Sequence, residues 1–165
     1  AACGSGNSTT DSGKTISGTL PEIIDRLYDT VDVDDEQRDF LKNSVGTVEI
    51  PKDQSAYYFG VENLDFEEAV ASEPLINAIA FSVCLMRVKD GTDIDELKAE
   101  ILRSANPAKW ICVSAEKQVS VTLGNDIFFV MGAEETVDQV VDAALLIAEA
   151  EFSEIGTLQE KYSAA

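Results

Sequence analysis

Histidine is absent from all 165 residues. That removes Ser-His-Asp and Cys-His nucleophile activation, imidazole acid/base chemistry and imidazole metal ligation together. Positive charge is scarce. Twelve Lys/Arg stand against thirty-one Asp/Glu, for a formal net charge of −19. Binding to nucleic acid is disfavoured, because phosphate contacts need clustered Lys and Arg, and so is docking on an anionic membrane through a basic patch. Cations and basic surfaces are the electrostatically favoured partners. No run approaches the ~20 apolar residues of a membrane-spanning helix. There are three cysteines. Cys84 and Cys112 sit in apolar, strand-like runs and read as free buried thiols in preference to a disulfide.

What is present starts with the first fifteen residues. Ala1-Ala2-Cys3-Gly4 leads into a Ser/Gly/Thr-rich stretch. A small-small-Cys-Gly run followed by a flexible tether is the pattern of a bacterial lipoprotein cleavage site, with the cysteine sulfur carrying a diacylglyceryl group. Two acyl chains give stable membrane attachment, at about 0.8 kcal/mol per buried CH₂. Cys3 is therefore the expected lipid anchor, residues 1–17 the expected tether and 18–165 a single domain.

Thr19 with Glu22 forms a capping box with Pro21 in the first turn, and Ile23, Ile24, Leu27 and Val31 make a helical stripe. Asp34-Asp35-Glu36 opens a second short helix. Val45 to Ile50 alternates as a strand before Pro51, and residues 52–64 read as a loop carrying Tyr57, Tyr58 and Phe59. Phe66 to Ser72 reads as a strand, and the apolar run Leu75 to Val88 holds a central one. Asp93 starts a helix with Ile94, Leu97 and Ile101 on one face, ended by Asn106-Pro107. Trp110 to Val113 reads as a short strand. Gly124-Asn125 is a two-residue hairpin signal that pairs Val121 with Phe128 and Val119 with Val130. Thr136 with Gln139 is the expected cap of a long C-terminal helix whose stripe runs from Val137 to Ile155. The fold class that follows is α+β, a two-layer domain with a mainly antiparallel sheet and helices packed on one face.

Candidate sites are few. Gly13-Lys14-Thr15 lacks the first glycine of a phosphate loop and a preceding strand. Asp32 to Glu36 lacks the glycine and terminal glutamate of a calcium loop, and helix capping accounts for its acids. On a strand Glu67 and Glu73 share a face, with Glu68 opposite, which makes Glu67 and Glu73 a candidate acidic site. Tyr57, Tyr58, Phe59 and Trp110, with the nearby cation Lys109, form a candidate binding surface. No metal ligand set and no cofactor motif stands out.

Several segments together resemble a family of uncharacterised lipoproteins found mostly in Gram-positive gut bacteria. They are Leu20-Pro21-Glu22-Ile23-Ile24, Ala56-Tyr57-Tyr58-Phe59-Gly60, the stretch Phe66 to Pro74, Ser82 to Gly91, and Pro107 to Val113. The resemblance implies a lipid-anchored domain on the outer face of the cell membrane and carries over no catalytic residue. The expected function is a non-enzymatic binding domain, held to the membrane by its N-terminal lipid and engaging an unknown protein or envelope component. A small accessory solute- or cation-binding lipoprotein is the alternative. A carboxylate-based hydrolase has no positive signal.

Overall fold

The computed structural model describes residues 15–110, 112–152 and 158–162. The class is α+β: among these residues, six strands form one antiparallel sheet in the order β1-β2-β3-β5-β4-β6. The strands are β1 Val45–Glu49, β2 Glu68–Pro74, β3 Ser82–Arg87, β4 Lys117–Leu123, β5 Asp126–Gly132 and β6 Gln159–Tyr162. The helices are α1 Leu20–Thr30, α2 Asp35–Asn43, the short α3 Ser55–Phe59, α4 Ile94–Ser104 and α5 Glu134–Glu151.

Local chemistry sets the first elements. Thr19 and Glu22 make the reciprocal capping box at the start of α1, and Asp34 and Asp93 accept from backbone N–H groups at the starts of α2 and α4. The end of α1 is held from outside, where the Arg38 guanidinium donates to the carbonyls of Tyr28, Asp29 and Val31. The β4–β5 hairpin has the expected register, Val121 opposite Phe128 and Val119 opposite Val130. Positive φ falls on Gly124 alone of the turn pair, the pattern of a II′ turn.

The main helical layer packs on one face of the sheet. Leu20, Ile23, Ile24 and Leu27 of α1 and Val137, Val140, Val141, Ala144 and Ala148 of α5 cover Val83, Leu85, Val119, Val121, Phe128 and Val130. The reverse face is closed as well. Leu97, Ile101 and Leu102 of α4, with Phe59, Phe66 and Trp110, cover Ala69, Ala71, Cys84, Met86, Ile127, Phe129 and Met131. The central strands are therefore apolar on both sides, which is why β3 and β5 read as continuous hydrophobic runs.

Several expectations are corrected. The packed chain starts by Ile16, inside the stretch assigned to the tether. Ile16 is buried in the α1/α5 core, and Ser17 is tied to the Glu151 carboxylate. The run Leu75 to Val88 does hold its central strand, over Ser82–Arg87, but its start does not join the core. Leu75, Ile76 and Ile79 stand out in the β2–β3 loop, at 72%, 71% and 44% exposure. Residues 52–64 are not all loop, because a 3-10 turn over Lys52–Gln54 runs into α3. The described residues of the expected Trp110–Val113 strand, Trp110, Cys112 and Val113, are not strand: Trp110 turns into the core under α4, and Cys112 takes a left-handed backbone conformation with φ 65. Cys112 is exposed, while Cys84 is buried as expected, and both are free thiols. The strand β6 was unforeseen.

The Thr136–Gln139 box is also replaced. The α5 helix begins three residues earlier with no side-chain cap of its own, and the Glu134 N–H donates to the Glu116 carboxylate at 3.2 Å. A carboxylate there offsets the helix dipole and fills an orphan donor. Glu116→Ala is expected to cost about 1 kcal/mol in urea denaturation, the usual loss of a cap. Thr136→Ala, inside the helix, should change stability by less than about 0.5 kcal/mol. The reverse ranking would show that α5 is capped at Thr136 after all.

Candidate functional site

Of the residues singled out from sequence, four converge with Glu73 at one end of the sheet. The short helix α3 carries Tyr57 and Tyr58, whose rings meet edge to face at 4.8 Å between centroids. The loop leaving α4 carries Lys109 and Trp110. Glu73 comes from the last turn of alternation in β2. The Lys109 ammonium lies 4.3 Å from the Tyr57 centroid, 4.9 Å from Tyr58 and 5.1 Å from Trp110, and it donates to the Glu73 carboxylate. Three ring faces and one carboxylate thus surround one cation. The Lys109 side chain is only 4% exposed, whereas Tyr57 remains 47% exposed, so the corner has one wall open to water.

Tertiary packing sets this geometry. Gly60, with φ 76, ends α3 and brings it against the end of α4. A Cβ at Gly60 would lie 2.2 Å from the Ser104 carbonyl carbon and oxygen. Phe59 serves as the peg of α3: it is fully buried against Phe129, at 6.4 Å between centroids, and presents nothing to a partner. It therefore leaves the candidate surface. Glu67 leaves the acidic pair. It precedes β2 while Glu73 lies near its far end, six extended residues or roughly 20 Å away. Carboxylates that cleave glycosides stand within about 10 Å of each other.

The electrostatics favour holding a cation over reacting with one. Burial, reinforced by the Glu73 charge, raises the Tyr57 and Tyr58 phenols, so neither supplies a phenolate near neutral pH. Cys84 sits beneath, electrostatically coupled to Lys109 and Glu73. Burial pushes its thiol up to about 12, and a protonated buried thiol is a poor nucleophile. Beside the corner, the β2–β3 loop that follows Glu73-Pro74 raises its three apolar side chains into water.

Other polar features are less organised. Glu116, Glu134, Glu135, Asp138 and Asp142 line an open depression of about 640 Å³, where Asp138 is engaged by Lys117. Among the described residues, no group of three or more His, Cys, Asp or Glu is arranged to hold a metal ion, and no helix is long and apolar enough to cross a membrane. Two features escaped the sequence reading. Asp126 is a fully buried carboxylate that makes no hydrogen bond of good geometry among the described residues and lies beside Arg87 at 3.8 Å and the Ile16 backbone. Gln118 and Ser120, buried on the α4 side of β4, have side chains that also lack hydrogen-bond partners among the described residues. Only the flanking hairpin signal hinted at Asp126. Cys3 lies outside the described residues.

Fold and site together define a small α+β domain with a cation-filled aromatic corner beside an exposed apolar loop. No known protein family, curated protein or solved structure matches the chain significantly.

Proposed function

We propose that this chain is a non-enzymatic extracytoplasmic binding domain, anchored by a lipid on Cys3 to the outer face of a bacterial membrane, with its recognition surface at the Tyr57/Tyr58/Lys109/Trp110 corner. The anchor rests on Ala1-Ala2-Cys3-Gly4, the tether sequence and the resemblance to Gram-positive lipoproteins. The observation that carries the recognition surface is the coincidence of the corner with exposed Leu75, Ile76 and Ile79 at one end of the sheet. Exposed apolar side chains beside the half-exposed Tyr57 ring are the composition of a contact patch. The solute- or cation-binding alternative draws on the same corner, because what it holds is an ammonium.

Two experiments test this reading. Cys3→Ala should move the full-length protein from the membrane fraction to the soluble one, and unchanged retention would remove the anchor. On intact cells, a photo-cross-linker at Tyr57 or Ile76 should give a discrete partner band that Leu75→Asp abolishes. The same cross-linker at Glu36, exposed on α2, should give none. Equal yields at all three positions would show that the corner is not the contact surface.

A further inference from the structure

We propose that the corner formed by Tyr57, Tyr58, Trp110 and Glu73 is a binding site for the methylated ammonium group of an exogenous ligand, which Lys109 fills in the free chain. This deepens the recognition-surface reading above and rests on it.

The hydrogen-bond inventory of Lys109 points this way. A primary ammonium carries three donors and no acceptor. Among the described residues, Lys109 has one hydrogen-bond acceptor, Glu73, and its ammonium also lies 4.3 to 5.1 Å from the centroids of three rings. The side chain is nearly sealed from water, so its remaining N–H groups are left facing π clouds. Donors buried in that state are costly. A trimethyl- or tetramethylammonium group carries no N–H at all. It offers its charge and methyl surface to the rings and its positive potential to Glu73. The cage chemistry therefore suits an alkylated cation better than the lysine it contains.

Access and mobility agree with this. Tyr57 forms a half-exposed wall, so a ligand can reach the rings from solvent. Lys109 sits in the loop between α4 and β4, outside helix and strand, and its ammonium is at the end of four rotatable methylenes. Swinging it out exchanges one cation for another and leaves Glu73 paired. As a tethered competitor, Lys109 holds the site at a high effective concentration and weakens the apparent affinity of any free ligand.

Trp110 is the single tryptophan of the chain, so its fluorescence reports this corner alone. The probe is tetramethylammonium chloride, with sodium chloride at matched ionic strength as the control, because a chain of net charge −19 responds to salt. Lys109→Ala should give a saturable fluorescence change with a Kd at least tenfold lower than that of the wild type. Adding Glu73→Gln to that variant should weaken binding several-fold. In the wild type, tetramethylammonium should raise the rate at which an amine-acetylating reagent modifies Lys109, and sodium chloride should not. That readout decides the matter by itself if Lys109→Ala fails to fold. Choline and Nε-trimethyllysine, compared in the same assay, separate a headgroup source of the ammonium from a side-chain source. The proposal is overturned if folded Lys109→Ala shows no change beyond the salt control or binds no tighter than wild type, or if Lys109 reactivity stays flat. Should it fail while the Tyr57 cross-link persists, the recognition surface stands and only the ammonium assignment is lost.

Discussion

Asp126→Asn is expected to stabilise the domain by roughly 4 kcal/mol at pH 8 and by almost nothing at pH 4. Asp126 opens β5 opposite Arg87 of β3, beneath the segment where the chain enters the domain. Its carboxylate is fully buried, and among the described residues neither oxygen has a hydrogen bond of good geometry, the Ile16 backbone beside it lending only partial support to the charge. Burial pushes its pKa from an ordinary 3.8 up to about 7, against the opposing pull of the Arg87 charge. Arg87 is only partly available to it, since its guanidinium also donates to the Glu68 carboxylate and to the carbonyls of Ile16 and Gly18.

The sign follows from the two states. Below pH 4 Asp126 is protonated in both the folded and the unfolded chain and contributes no pH dependence. Between pH 4 and 7 the unfolded chain releases the proton while the folded chain keeps it, so stability falls as pH rises. Above pH 7 both states are ionised, and the full penalty stands at about 4 kcal/mol for a shift of this size. Asparagine removes the charge and buries a neutral polar group, as the protonated acid does below pH 4, so nearly all of that is recovered. Self-repulsion at −19 also weakens the fold as pH rises, but it acts nearly equally on both proteins. The measurement is therefore the difference in urea stability between variant and wild type from pH 4 to 8. A difference that stays constant over that range would rule out a raised Asp126 pKa.

Gly60→Ala is expected to cost about 3 kcal/mol or more. Two effects add: an L residue forced to φ 76, and a Cβ placed 2.2 Å from backbone atoms of Ser104. Backbone at the end of α4 cannot yield as a flexible side chain would, so α3 must move, taking with it the buried Phe59 peg, Tyr57 and Tyr58. The control is Gly91→Ala. Gly91 has φ 83 but open space around it, and its cost should be limited to the backbone term, about 1 kcal/mol. Urea midpoints and Trp110 fluorescence check both variants. Equal losses would mean that contact with Ser104 contributes nothing, and an unshifted Trp110 signal in Gly60→Ala would mean that α3 does not set the corner.

Features whose causes lie close in the chain were legible from the residues alone. The Thr19–Glu22 box, the Asp34 and Asp93 caps, the α1 stripe and the Gly124-Asn125 hairpin with its register each involve residues within about ten positions, and the chemistry of each is complete there. Composition was equally direct, and the missing histidine and the −19 charge narrowed the chemistry before any fold was known. The candidate aromatics were also visible, though not their arrangement.

Burial and long-range pairing were not legible, because hydrophobicity along the chain does not say which apolar run finds a partner. The apolar run Leu75 to Val88 holds its central strand, but Leu75, Ile76 and Ile79 at its start project into water, since only Ser82–Arg87 pairs with β2 and β5. The polar Gln159–Tyr162 gave no strand signal, yet it completes the sheet beside β4. There Lys117 meets Glu160, Asp138 and the Tyr162 ring. Ile16 looked like tether and is core, because α1, α5 and Arg87 close around it. Glu73 and Lys109 lie 36 positions apart and meet only because α3, β2 and the loop after α4 converge. Local sequence thus specified most of the helices and strands, the caps of α1, α2 and α4, and the total charge. Which side chains lost water, and so which carboxylate titrates near pH 7 and which lysine sits inside a ring of aromatics, depended on contacts between distant segments, because desolvation belongs to the packed molecule and to no single stretch of chain.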